Sequence, residues 1–157
     1  MKCKHNSIPV WKCWLVLALV GLVSGCGGSN KKIPAKLASV AGRVILDEKP
    51  LSGCSVSFIP RDQTKGQGGF AVTDAEGFFS AKHWSNVSGI EPGTYTVVFS
   101  KIAQPDGSPI PEGKNAADVN AKEMLPRKLS DPNLEHGVNV VTVLESGAEL
   151  DFKLKSK

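Results

Sequence analysis

No stretch of this sequence is apolar for long enough to cross a bilayer as a helix. The longest apolar run, Trp14–Val23, has ten residues, about half of the roughly 20 that a transmembrane helix needs. Lys12 bounds it on one side and Ser24, Gly25, Gly27 and Gly28 on the other, so a membrane anchor is the weaker reading of it. Histidine is scarce as well. Beyond Gly25 only His83 and His136 remain, far apart and with no partner at metal-ligand spacing, so a zinc site lacks support. No Gly-x-Ser-x-Gly or equivalent motif provides a serine or cysteine nucleophile with a base and an orienting group. Gly66, Gly68 and Gly69 lack the following Lys-Ser/Thr and the helix that would make them a phosphate loop. Asp74 and Glu76 fall within one four-residue turn without further oxygen ligands or EF-hand spacing, which reads as turn chemistry. Helical periodicity is almost absent. No catalytic set, metal or cofactor is expected, and a helical bundle is excluded.

What the N-terminus does contain is an ordered series of signals. Lys2, Lys4 and Lys12 accompany the apolar run, and Leu22-Val23-Ser24-Gly25 brings small residues up to Cys26. A positive region, an apolar region and small residues before a cut site describe a secretory signal peptide. Because it runs straight into a cysteine, the segment resembles the lipobox of bacterial lipoproteins, in which that cysteine is acylated and becomes the new N-terminus; Val23 stands where leucine is commoner. The resemblance implies a signal peptide over 1–25, lipidation at Cys26, and attachment to membrane lipid at the bacterial cell envelope, facing the periplasm or the cell surface. Several acyl chains, at roughly 0.8 kcal/mol per buried methylene, would make that attachment nearly permanent.

Removing residues 1–25 leaves 132 residues with 16 basic and 15 acidic side chains. The formal charge of +4 thus belongs largely to the signal, and nothing electrostatic points to nucleic acid. Cys3 and Cys13 leave with the signal and Cys26 is the acyl acceptor, so Cys54 is the one thiol that remains. It cannot form an intramolecular disulfide, and the fold must rest on its core. Residues 26–37 are small, polar and charged and read as a flexible tether. One domain is expected over 38–155.

Within that domain the period is two. Val40–Leu46 places Val40, Gly42, Val44 and Leu46 on one face and Arg43 on the other. Asp47–Pro50 is a turn, and Cys54–Pro60 alternates again with Cys54, Val56 and Phe58 on the apolar face. A cysteine there acts as a small hydrophobe. Arg61–Gly69 reads as a loop. Phe70–Thr73 and Phe78–Ala81 flank Asp74–Gly77, read as a hairpin connection. Thr94–Ser100, Val138–Leu144 and Glu149–Leu154 complete seven strands. Between them, 101–137 is an irregular insertion whose Pro105, Pro109, Pro111, Pro126 and Pro132 leave no room for a strand, with a short helix over Ala116–Leu125. The sum is an all-β sandwich.

Four blocks together resemble the carboxypeptidase-regulatory-like domain: Val40, Gly42 and Val44; Pro50-Leu51 with Gly53, Val56 and Phe58; Thr73–Phe78; and Pro92–Val97. Leu125–Pro132 is similar to a stretch that small lipoproteins of this kind carry before their last hairpin. Glu48 stands where the family has glycine and Leu129 where it has an aromatic. The resemblance implies a seven-stranded Greek-key β-sandwich of the transthyretin, or prealbumin-like, type, and brings no catalytic residues. Function is then expected to be envelope structure or protein–protein contact without catalysis. The alternative is a ligand-binding module for a glycan, with Trp84 as an aromatic platform beside His83 and Asn86. Asn86-Val87-Ser88 also matches a glycosylation sequon, a chance match in a bacterial lipoprotein.

Overall fold

The computed structural model describes residues 36–133 and 139–157. The expected signal peptide, Cys26, most of the 26–37 tether and His136 lie outside the described residues. In chain order the strands are β1 (Val40–Leu46), β2 (Lys49–Pro50), β3 (Ser55–Pro60), β4 (Gly69–Val72), β5 (Phe78–Ser80), β6 (Lys82–His83), β7 (Gly93–Ser100), β8 (Ile102–Ala103) and β9 (Lys122–Glu123). A single-turn helix α1 (Arg127–Ser130), β10 (Asn139–Val143) and β11 (Ala148–Leu154) follow. Each of the seven segments read as extended forms a strand. Four further strands of two residues join them, so the count among the described residues is eleven rather than seven.

The described residues are mostly β, as an all-β reading requires, in two main sheets. One has the order β11-β1-β2, with β5 also paired to β1; the other runs β10-β7-β3-β4-β6. The first and last strands lie side by side and parallel, Val40 opposite Ala148 through Leu46 opposite Leu154. Gly42 permits this close approach, because a Cβ there would drive into the Leu150 carbonyl oxygen. In the second sheet every named pairing is antiparallel.

The inward faces of the two sheets meet in one apolar core. Phe58 of β3 packs against Phe79 of β5 and Tyr95 of β7, with ring centroids 6.2 and 6.3 Å apart. Phe152 of β11 meets Phe99 of β7 edge-on at 5.0 Å and stacks on Phe79 at 6.1 Å. Val44, Cys54, Val56, Phe58, Tyr95 and Phe99 are completely buried, and each large apolar side chain so placed stabilises by roughly 1.5–3 kcal/mol. Leu125 and Leu129 belong to the same core. Leu129 is thus the buried residue by which α1 packs onto the domain.

Three expectations fail. Asp74–Gly77 is not a hairpin: β4 lies in the second sheet while β5 pairs with β1 in the first, so the turn hands the chain from one layer to the other. Asp74 Oδ1 accepts the N–H groups of Glu76 (3.1 Å) and Phe78 (2.8 Å), closing the turn locally whatever the next strand pairs with. The insertion also contains strands. β8 pairs with β9, Ile102 opposite Glu123 and Ala103 opposite Lys122, because Pro105, Pro109 and Pro111 fall between the two short strands and not inside them. The expected helix over 116–125 reduces to a 3-10 turn, Ala116–Val119. In the first turn, Asp47 and Glu48 both take left-handed backbone, φ 47° and 70°, so the glutamate bears a strain of about 1–2 kcal/mol that glycine would avoid.

Candidate functional site

Alternation along the second sheet leaves an outer face opposite the core. Tyr95, Val97 and Phe99 point inward, so Thr96 and Val98 point out; Val56 and Phe58 point inward, so Ser55, Ser57 and Ile59 point out. Register then aligns them in rows. Val140, Thr96 and Ile59 form one row. Val98, Ser57, Phe70 and Lys82 form the next, and Ser100, Ser55 and Val72 a third. Val140 and Val72 are exposed and about a third of Ile59 is, whereas Thr96 and Val98 of the central strand are buried. Four hydroxyls interleave five apolar side chains, with Lys82 the one charge in these rows.

Trp84 rises at the edge of this face. Its indole lies over the Phe70 ring at 5.2 Å between centroids and 31° between planes, and 46% of the residue is exposed. Asn86, expected as its polar neighbour, is exposed on the same turn, with left-handed backbone at φ 68°.

What holds Trp84 outward is the residue before it. His83 is 1% exposed, and its backbone N–H donates to the Val87 carbonyl at 2.8 Å while its own carbonyl accepts the Asn86 N–H at 2.8 Å. The Ser85 N–H donates to His83 Nδ1 at 3.1 Å, and the Ser85 hydroxyl lies 2.7 Å from the same nitrogen. Nδ1 is therefore the acceptor, and the ring proton belongs on Nε2. Nε2 faces Glu91 Oε1 at 3.3 Å without the alignment of a hydrogen bond, and Glu91 Oε2 has no hydrogen-bond partner among the described residues.

Glu91 in turn supports the 61–69 loop. Its Oε1 accepts the Gln67 N–H at 3.3 Å, and Gly66 lies so close over its side chain that a Cβ would sit 2.7 Å from Glu91 Cβ. The Tyr95 hydroxyl donates to the Glu91 carbonyl at 2.6 Å; burial, with the nearby Glu91 charge, pushes the phenol up to about 12. Thr64 and Thr94 exchange two hydrogen bonds, at 2.9 and 3.0 Å, across the same loop. Trp84 thus stands on a turn braced from beneath by buried polar contacts.

Elsewhere the chemistry is structural. Cys54 has no exposed surface, and burial pushes its thiol up to about 12, so it is an unreactive core residue. Thr73, 4% exposed, accepts the Cys54 N–H at 2.9 Å and donates to the Leu51 carbonyl at 2.5 Å. Glu123 ties the 101–125 excursion to the end of β7: Ser100 Oγ donates to it at 2.6 Å, and the Lys101 and Leu125 N–H groups each at 2.9 Å. Sequence reasoning singled out Trp84 and Asn86 but missed Phe70, His83 Nδ1 and Glu91. Phe70-Ala71-Val72-Thr73 carried a signal for the first, since its bulky side chains occupy the face opposite the core.

The chain matches no family model and no curated protein. Among solved structures, a 9R-lipoxygenase from Cyanothece is similar at a TM-score of 0.35 and 13% identity, over 79% of this chain and 17% of that one. The chain spans under a fifth of that enzyme, and a likeness so slight carries no argument about activity or fold.

Proposed function

We propose that this chain is an exported bacterial lipoprotein, cut before Cys26 and acylated there, that displays a non-catalytic Greek-key sandwich of the transthyretin-like type at an envelope membrane. The domain works by contact with another envelope component. The N-terminal half of this reading rests on Lys2, Lys4 and Lys12, the ten-residue apolar run and Leu22–Cys26. Nine residues separate Cys26 from Lys36, a tether that as a random coil spans on the order of 15–20 Å and lets the domain stand clear of headgroups.

The observation that carries the contact role is the outer face of the second sheet, where Trp84, Val72 and Val140 are 46%, 60% and 49% exposed. Trp84 stacks on Phe70, and Val72 is the next outward residue of β4; exposed apolar groups that adjoin in this way mark a recognition surface more often than scattered ones do. The test is a photo-crosslinking residue at position 72 or 140 in the acylated protein on intact cells. Crosslinks specific to those positions, and abolished by Cys26→Ser, are expected. A Cys26→Ser protein that still partitions with membranes, or a face that crosslinks no more than Lys157 does, contradicts the proposal.

A further inference from the structure

An open sheet ends in strands with one unpaired edge, and such an edge is a template for another strand. Among the described residues β11 is the longest strand of this kind. Over Ala148–Leu154 it pairs in parallel with β1, and no described strand takes its other side. Hydrogen bonds show which residues face that side. The Ala148 N–H donates to the Ser39 carbonyl at 2.9 Å, and the Leu154 carbonyl accepts the Asp47 N–H at 3.1 Å, so both turn their backbone groups toward β1. Direction alternates along a strand. Leu150 and Phe152 therefore share that direction, while Glu149, Asp151 and Lys153 turn their N–H and C=O groups to the open edge. The side chains of these three are exposed, whereas Phe152 and Leu154 are buried.

Charge decides what such an edge can pair with. Glu149, Asp151, Lys153 and Lys155 place acid before base at every second position, so the series turned end for end meets its own complement. With Phe152 on a two-fold axis, Asp151 faces Lys153 of the second copy and Glu149 faces its Lys155, both as hydrogen-bonded pairs. On the core side Phe152 then faces Phe152, and Leu150 faces Leu154. Moving the axis to Leu150, Asp151 or Lys153 sets Glu149 against Asp151, Asp151 against itself or Lys153 against itself. Like charges directly opposite are destabilising, which singles out the Phe152 register.

The charges are also uncommitted within the chain. Arg43 lies opposite Asp151 on β1, yet its Nε donates to the Glu76 carbonyl at 2.9 Å and its guanidinium sits over the Phe78 ring at 5.0 Å. No ion pair among the described residues involves Glu149, Asp151, Lys153 or Lys155.

We infer that β11 is the interface of a symmetric homodimer, paired antiparallel with β11 of a second copy about Phe152. Main-chain hydrogen bonds along the two edges hold the copies together, as in strand addition to a sheet. The charge pairs select this register and this partner. The inference goes beyond the lipoprotein reading and uses no residue of the second sheet's outer face.

The experiment is native mass spectrometry of the full-length protein released from detergent micelles, across a concentration series. Wild type is expected to give monomer and dimer in a concentration-dependent ratio. Asp151→Lys and Lys153→Asp each set like charges opposite one another on both sides of the axis, and each should weaken self-association roughly tenfold or more. Mixed in equal amounts, the two variants should form a heterodimer about as tight as the wild-type dimer, because each then meets the opposite charge at both positions. That recovery also shows that both variants fold. Lys114→Glu, at an exposed position far along the chain from β11, should leave the dimer unchanged. A chain that stays monomeric throughout overturns the inference, even one that captures a strand of a different protein. So does a dimer that both single variants leave within twofold, or a mixture that yields no heterodimer.

Discussion

Replacing Thr73 with valine is the sharpest test of how the two layers are joined. Thr73 ends the run that leaves β4 for the turn into the other sheet, and its hydroxyl bridges the Cys54 N–H at 2.9 Å and the Leu51 carbonyl at 2.5 Å. Valine keeps the shape and removes both bonds. Cys54 has no exposed surface and Leu51 is 6% exposed, so water cannot easily replace the hydroxyl. An orphaned buried donor costs about 1–3 kcal/mol, and an orphaned carbonyl somewhat less. The expected loss is about 2–4 kcal/mol, on the order of 10 °C in Tm for a domain of this size. Thr73→Ser keeps the hydroxyl and loses one methyl, which costs about 1 kcal/mol. Urea unfolding followed by circular dichroism, with an unchanged m-value, reads the difference. A Thr73→Val loss under about 0.5 kcal/mol, or a Thr73→Ser loss as large as that of valine, would refute the bridging role.

Other predictions follow from the same contacts. Glu123 is held below the usual carboxylate range: partial burial pushes it up, but hydrogen bonds from the Ser100 hydroxyl and from the Lys101 and Leu125 N–H groups outweigh that. A depressed folded-state pKa gives stability that is present above the unfolded value and lost as pH falls through the folded one. Glu123→Gln should therefore cost about 1 kcal/mol at neutral pH, with the gap to wild type closing on acidification; a gap independent of pH contradicts this. Alkylation at pH 8 with peptide mapping should leave Cys54 unmodified in the native protein and modify it in urea, since its thiol lies near 12 in the fold. Phe152→Ala, which removes the stack on Phe79 and the edge-on contact with Phe99, should cost about 3–5 kcal/mol; Phe78→Ala, whose ring is half exposed under Arg43 at 5.0 Å, should cost under about 1 kcal/mol.

Strand positions were legible because half-buried strands print their inward face in the sequence at period two. Val40, Val44, Val56, Phe58, Phe152 and Leu154 all lie in the core as alternation requires. Pairing was not legible, since a strand's alternation names a buried face and no neighbour. The parallel contact of β1 with β11 joins residues more than a hundred positions apart, and the hairpin expected at Asp74–Gly77 failed for the same reason. The insertion misled because proline density argues against long strands, while two-residue strands need only the gaps between prolines. At the candidate site, Trp84 was visible as an isolated aromatic. Its support by Phe70, His83 and Glu91 depends on tertiary register that no local pattern records.

The account as a whole depends on Cys26. Mass spectrometry of the protein extracted from the membrane fraction, read at its N-terminal peptide, tests it most directly. The account predicts that the chain begins at Cys26 and that this residue carries two or three acyl chains. A chain that begins at Met1, or an unmodified Cys26 recovered in the soluble fraction, would contradict it.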